Sequence, residues 1–152
     1  MEAAYQGNAR IVRLLLGAGA DKNLQDDFGV TALLWACSQG HVDTARVLLE
    51  SGADLDLQTA QVTNLTNRDS SRRHASLCKV SGLTALMHAS QMGHVETVSL
   101  LLGAAADANL QDHSGTSALM HASHMGHIHT VVCSWKLKPT RTCKTTPARL
   151  LS

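Results

Sequence analysis

The sequence predicts an all-α solenoid, in which short helix–turn–helix units stack on one another along the chain. The first observation is a repeat: residues 84–98 recur at 117–131, 33 positions later, with eleven of fifteen residues identical. The second is that glycines follow the same period along the chain, with one interruption of 20 residues. The third is an apolar stripe at helical spacing, which a single unit cannot bury without a neighbour.

Each unit opens with a turn and a short first helix, predicted over 31–39, 84–92 and 117–125. A hydroxyl group at the start of each helix can cap its exposed backbone amides, and the residues that carry it are Thr31, Thr84 and Ser117. A glycine ends each helix, because glycine adopts the left-handed conformation at low cost, and these glycines are Gly40, Gly93 and Gly126.

A second helix follows, and its apolar residues recur at spacings of three and four, which is one helical face. The stripe is Val42, Ala45, Leu48 and Leu49 in one unit, and Val95, Val98, Leu101 and Leu102 in the next. An incomplete first unit has Ile11, Leu14, Leu15 and Leu16. Short segments rich in glycine, alanine and aspartate close the second helices at 17–21, 51–54 and 104–107.

These motifs, in the order G-x-T-A-L, A-x-x-x-G-H, V-x-x-L-L and G-A-D, resemble the ankyrin repeat over residues 1–58 and 81–132. The resemblance implies helix pairs joined by β-turn fingers and curved into a concave surface. The family's T-P-L-H becomes T-A-L-L or T-A-L-M here, so we expect Leu34 and Met87 to replace its histidine by packing. Ala105 stands where the family prefers glycine, and a left-handed conformation there would cost about 1 kcal/mol.

The register divides the chain into an array over 1–135 and a basic, irregular tail over 136–152. We expect units at about 1–26, 27–58, 80–112 and 113–135, with an insertion at about 59–79. The first unit lacks its turn, and the last one departs from the repeat after residue 131. We interpret the chain as a fragment or alternative product of a longer ankyrin-repeat protein.

Composition disfavours several classes of protein. The formal net charge of +1 argues against nucleic-acid binding. The sequence contains no run of eighteen apolar residues, so we expect no membrane-spanning helix. The four cysteines lack paired metal-ligand spacing, and the N-terminus lacks a signal-peptide pattern, so we expect an intracellular protein, with the cytoplasm favoured over the nucleus. We expect no cofactor.

Catalysis and metal binding find little support in the sequence. No nucleophile-elbow or phosphate-loop motif occurs, and Gly40 interrupts the helix between Cys37 and His41, the one thiol–imidazole pair at helical spacing. Two of the five histidines of the last unit, His121 and His127, repeat positions of earlier units, and His124 and His127 lie on either side of Gly126, where the helix is expected to end, so we expect no metal site. In the insertion, neighbouring arginines make Ser71 and Ser76 possible phosphorylation sites.

The remaining signal lies where the units differ from one another. In the ankyrin family such positions line the binding surface, which here implies Asp27, Phe28, Val30, Trp35, Gln39, Leu83, His88, Gln91, Met92, His113, Thr116, His121, His124 and Met125. Trp35, His88 and His121 share one register position and should form a row. Trp35 is either an aromatic anchor for a partner or a packing residue against a neighbouring helix. The imidazoles would charge near pH 6.5, which predicts pH-dependent binding.

We therefore predict a non-catalytic module that binds a protein, whose identity the sequence does not indicate, through the concave face and turn tips. The alternative is a regulatory or targeting segment of a larger signalling enzyme or channel. We expect a monomer without a membrane span, whose uncapped ends can self-associate.

Overall fold

A computed structural model describes residues 1–60 and 81–130 of the chain. Within these ranges seven helices follow one another: α1 (Glu2–Tyr5), α2 (Ala9–Gly17), α3 (Ala32–Ser38), α4 (Val42–Glu50), α5 (Ala85–Met92), α6 (Val95–Gly103) and α7 (Ala118–His124). A further helix begins at 128. Ser71, Ser76 and the basic tail lie outside the described residues.

The helices stack in two layers, which confirms the predicted all-α solenoid. The first helices α1, α3, α5 and α7 pack in chain order, and the second helices α2, α4 and α6 pack beside them. Small side chains such as Ala36, Cys37 and Ala89 are completely buried in the first-helix layer. Their size allows helix axes to approach closely, as the sequence predicts. None of the helices in the described ranges is long and apolar enough to cross a membrane.

Hydroxyl caps begin two of the three predicted first helices. Thr31 Oγ1 accepts a hydrogen bond from the Leu34 amide at 3.2 Å, and Thr84 Oγ1 accepts one from the Met87 amide at 3.3 Å. The prediction is wrong for Ser117, whose side chain makes no capping bond. Leu34 and Met87 themselves are buried in the core, which confirms that they replace the family's histidine by packing.

The loop after α6 contains Ala105, the residue for which the sequence predicts backbone strain. Ala105 has φ +68°, and it is the one non-glycine residue with positive φ in the described part of the chain. Gly19 and Gly52 occupy the equivalent positions in earlier units, with φ of +88° and +75°. The backbone conformation is therefore set by the repeat, and alanine adopts it at an energetic cost.

The described residues on either side of the insertion are hydrogen-bonded to one another. The Thr59 amide donates to the Leu83 carbonyl at 3.0 Å, and the Leu83 amide donates to Thr59 Oγ1 at 3.0 Å. Asp26 Oδ1 accepts the Val30 amide in the same way one unit earlier. Thr59 therefore belongs to the finger of the third unit, although the sequence pattern assigned it to the insertion.

Apolar side chains are exposed at both ends of the described stack. Leu15 is half exposed, whereas its equivalents Leu48 and Leu101 are buried between units. At the other end Met120 is exposed, whereas the equivalent Met87 is buried. Burial of these positions thus depends on a neighbouring unit, as expected for a repeat array.

Candidate functional site

The fourteen predicted surface residues separate into three groups by exposure. Six side chains are exposed: Asp27, Gln39, Met92, His113, His124 and Met125. Three are half-buried: Phe28, Gln91 and Thr116. Five are buried: Val30, Trp35, Leu83, His88 and His121. The expectation that all fourteen lie on an exposed surface is therefore wrong for these five residues.

Two of the buried residues come from the fingers. Val30 and Leu83 occupy equivalent positions directly before the first helices α3 and α5, and each is about 1% exposed. Both belong to the hydrophobic core of the array. Sequence comparison alone marks them as variable because the third equivalent is Thr116, which is half-buried. The residue type at this position therefore differs because the side chain packs into a different part of the core in each unit.

Trp35 packs against the neighbouring unit. Its indole is 5% exposed and makes a T-shaped contact with the ring of Tyr5, with centroids 5.3 Å apart and planes at 89°. Edge-to-face aromatic pairs of this kind stabilise packed interiors. The geometry supports the packing interpretation of Trp35 over that of an anchor for a partner, because the indole already fills a contact between α3 and α1.

His88 is a core residue, which corrects the expectation that it charges near pH 6.5. Its side chain is about 1% exposed, and Nδ1 lies 3.2 Å from the Gln91 Oε1 oxygen, to which it can donate. Burial lowers the pKa of His88 to about 4, because the imidazolium would lose its hydration. The imidazole is therefore neutral across the physiological pH range.

His121 is buried beside a carboxylate that sequence reasoning missed. Its Nε2 lies 2.9 Å from Asp112 Oδ2, while Asp112 Oδ1 accepts the amides of Ser114 and Thr116. Burial acts to raise the pKa of Asp112, but the Thr116 amide, the His121 ring and the Ser114 amide outweigh it and hold that pKa below its usual value. Asp26 occupies the equivalent position in the second unit and accepts hydrogen bonds from two amides of its own finger. This recurrence of aspartate could have identified Asp112 from the sequence.

The exposed residues include three at one register position. Gln39 directly follows α3, Met92 ends α5, and Met125 directly follows α7. We call these three residues the helix-end row. Since α5 packs against both α3 and α7, the row crosses consecutive units. Met92 is 46% exposed and Met125 is 51% exposed, so the row presents two thioether side chains to solvent.

The finger tips contribute Asp27 and His113. His113 Nδ1 lies 2.9 Å from the Ser81 hydroxyl of the preceding finger, and its backbone amide donates to the Ser81 carbonyl at 3.1 Å. Adjacent fingers are therefore joined at their tips, so His113 is exposed but held in place. His124 lies beside Met125 in sequence and is also exposed.

Charge is distributed unevenly along the described part of the chain. It contains eleven of the twelve acidic residues of the sequence but only four of the thirteen Lys and Arg residues. Those four are Arg10, Arg13, Lys22 and Arg46, which lie on α2, on α4 or in the loop after α2. In the described ranges, the first helices and the finger segments 26–30 and 112–116 therefore carry no Lys or Arg side chain.

The described residues also bear on metal and thiol chemistry. Within 1–60 and 81–130, no three His, Cys, Asp or Glu side chains come together in an arrangement that could hold a metal ion. Cys37 is completely buried, and burial raises the pKa of its thiol far above neutrality. A thiol in this environment stays protonated, so Cys37 has a packing role.

Comparison with known proteins identifies the repeat. The family model described as ankyrin repeats (3 copies) matches residues 1–68 and 58–133. "Ankyrin repeat and SOCS box protein 3" from Bos taurus is 57% identical over 35 residues, which is 23% of this chain and 7% of that protein. The Homo sapiens protein of the same name is 54% identical over 35 residues, with the same shares. The chain thus spans a small fraction of these relatives.

Proposed function

The chain belongs to the ankyrin-repeat family, whose repeats mediate protein–protein interaction, and we propose that it binds a partner protein through the helix-end row and the finger tips, without catalysis. The observation that carries the proposal is the exposure of Met92 and Met125 at one register position of neighbouring helices. Exposed large apolar side chains that are aligned by the fold favour contact with another protein.

Methionine suits a binding surface of this kind. The side chain is unbranched and its thioether is polarizable, so it adapts to partners of different shape. Gln39 extends the row with an amide that can donate and accept hydrogen bonds. His124 adds an exposed imidazole next to Met125 in the sequence, and Asp27 and His113 add exposed polar groups at the finger tips. Protein interfaces usually combine apolar and polar groups in this way.

The charge distribution favours a partner with an apolar side chain next to Lys or Arg. In the described ranges, no Lys or Arg side chain lies on the first helices or in the finger segments 26–30 and 112–116, whereas Asp27 presents a carboxylate there. A basic segment would therefore meet no Lys or Arg side chain of these described elements. Since like charges facing each other suppress association, the absence of lysine and arginine sets a preference for basic over acidic partners.

A capture experiment with paired variants tests this surface. We expect Met92→Glu combined with Met125→Glu to abolish retention of proteins that the unmodified chain captures from a cell lysate. The control is Leu14→Glu combined with Leu24→Glu, which places the same two charges at exposed apolar side chains outside the row. Circular dichroism should show equal helicity for all three proteins. Equal capture by the double variant and the wild type would contradict the proposed surface.

A further inference from the structure

Methionines of the array differ sharply in their access to solvent. Met92 and Met125 are about half exposed, whereas Met87, one turn and a half earlier on the same helix as Met92, is about 1% exposed. A small oxidant dissolved in water can therefore contact the first two side chains but not the third without unfolding. The helix-end row is therefore chemically distinguishable from the methionine of the core.

We propose that Met92 and Met125 form a sulfoxidation site, at which a hydroperoxide releases the bound partner. The inference rests on the proposed function, because it assigns a regulation to the same surface. Met92 and Met125 are equivalent residues of adjacent helices, and packed helices lie about 10 Å apart. Both thioethers can therefore lie under one bound segment.

The reaction is balanced with the hydroperoxide as the oxidant. A lone pair of the methionine sulfur attacks the terminal oxygen of the hydroperoxide, the O–O bond breaks and an S–O bond forms. The sulfur loses two electrons to the peroxide. The proton of the attacked O–H group passes to the other peroxide oxygen, which leaves as water or an alcohol. The product is methionine sulfoxide, which dedicated reductases convert back to the thioether.

Sulfoxidation would weaken binding because it changes the character of the row. A sulfoxide is polar and must keep its oxygen hydrated or hydrogen-bonded, so covering it with an apolar side chain is unfavourable. Both residues lie at the ends of their helices and outside the core, so the oxidation leaves the buried packing in place. The modification should alter the surface without unfolding the array.

The first test measures selectivity in the full 152-residue chain. After a brief exposure to hydrogen peroxide, peptide mass spectrometry should find sulfoxide at Met92 and Met125 at least about ten times faster than at Met87, since reactivity follows exposure. In strong denaturant the three rates should become similar, which controls for intrinsic reactivity. Equal rates in the native protein would overturn the proposal.

The second test links oxidation to binding. Peroxide should abolish partner capture by the wild type, and a methionine sulfoxide reductase should restore it. Met120→Leu removes an exposed methionine outside the row, so this variant should capture the partner before peroxide and lose capture after it, in proportion to the sulfoxide found at Met92 and Met125. Capture by the wild type that survives oxidation contradicts the regulation alone. A lack of capture by the unoxidised wild type contradicts the proposed function as well.

Discussion

The imidazole ring of His127 lies directly against Gly93 of the preceding unit: a Cβ built on this glycine would stand 2.7 Å from Nδ1. The same ring donates from Nε2 to the Gln91 carbonyl at 3.1 Å. The two neighbouring pairs repeat the arrangement, with His94 against Gly40 and His41 against Gly7. Glycine is thus required at these positions by both its left-handed φ and the ring that covers it.

Replacement of Gly93 by alanine should therefore destabilise the array more than the same change at Gly126. Both glycines have φ near +75°, so both variants incur about 1–2 kcal/mol of backbone strain. Apart from its chain neighbours, no described atom lies within 4 Å of a Cβ built on Gly126, so steric conflict with an imidazole applies to Gly93→Ala alone. Urea unfolding should show a loss larger by at least about 1 kcal/mol for Gly93→Ala. Equal losses would contradict the packing of His127.

A glycine at Ala105 should stabilise the protein. The φ of +68° is strained for alanine, and its relief should add about 0.5–1 kcal/mol to the free energy of unfolding after the larger chain entropy of glycine is counted. The adjacent Ala104 has φ −84°, so Ala104→Gly removes no strain and should be neutral or destabilising. Thermal unfolding of the two variants checks this, and a gain from Ala104→Gly of equal size would contradict it.

Two buried threonines should respond oppositely to valine. Thr97 is completely buried, and its hydroxyl has no hydrogen-bond partner in the described structure, so Thr97→Val should stabilise by up to about 1 kcal/mol. Thr84 caps α5 through the Met87 amide, so Thr84→Val should cost about 1 kcal/mol. Chemical denaturation of both variants measures the contrast. A destabilised Thr97→Val would indicate that its hydroxyl has a partner.

His88 should make the array less stable in acid. Its pKa is about 4 in the folded chain and near 6.5 when unfolded, so the unfolded state takes up the proton first as the pH falls. The contribution of neutral His88 is complete above pH 6.5 and is lost between pH 6.5 and 4. From pH 7.5 to 5 the free energy of unfolding should fall by about 2 kcal/mol more in the wild type than in His88→Gln. Parallel pH profiles of the two proteins would refute this assignment.

Cys37 should resist alkylation in the native state. Its thiol is completely buried and is held protonated by that burial, whereas iodoacetamide reacts with the exposed thiolate. Peptide mapping should find Cys37 unmodified in buffer and modified in urea. Rapid labelling without denaturant would show that α3 opens readily.

Most of the scaffold could be predicted because it is repeated. The glycines, threonine caps and apolar stripes recur at one period, and each recurrence constrains the same local structure, so even the strained Ala105 was predictable. Ser117 failed as a cap although it aligns with two threonines that succeed. Alignment indicates which backbone position a residue takes, but the side-chain rotamer depends on the surroundings.

The candidate surface was predicted less well, because variation between units has two causes. Trp35 and His88 differ between units since each fills a different space between helices, and both are buried. Met92 and Met125 stand where the second unit has Gln39, and all three side chains are exposed to solvent. Sequence comparison within one chain detects both kinds of difference, and only the burial of each side chain separates them. The Asp112–His121 pair was missed because its members lie nine residues apart, on a finger and a helix.

The bonds that join Thr59 to Leu83 have a consequence for how the protein could be divided. The two backbone segments meet at 59–60 and 82–83, and α5 packs directly on α3, so the described interface between the halves consists of hydrogen bonds and side-chain packing. Residues 1–60 and 81–152, produced as separate polypeptides, present the complementary faces of one interface. The position is therefore suited to fragment complementation, in which reporter halves fused at the break are brought together when the array assembles.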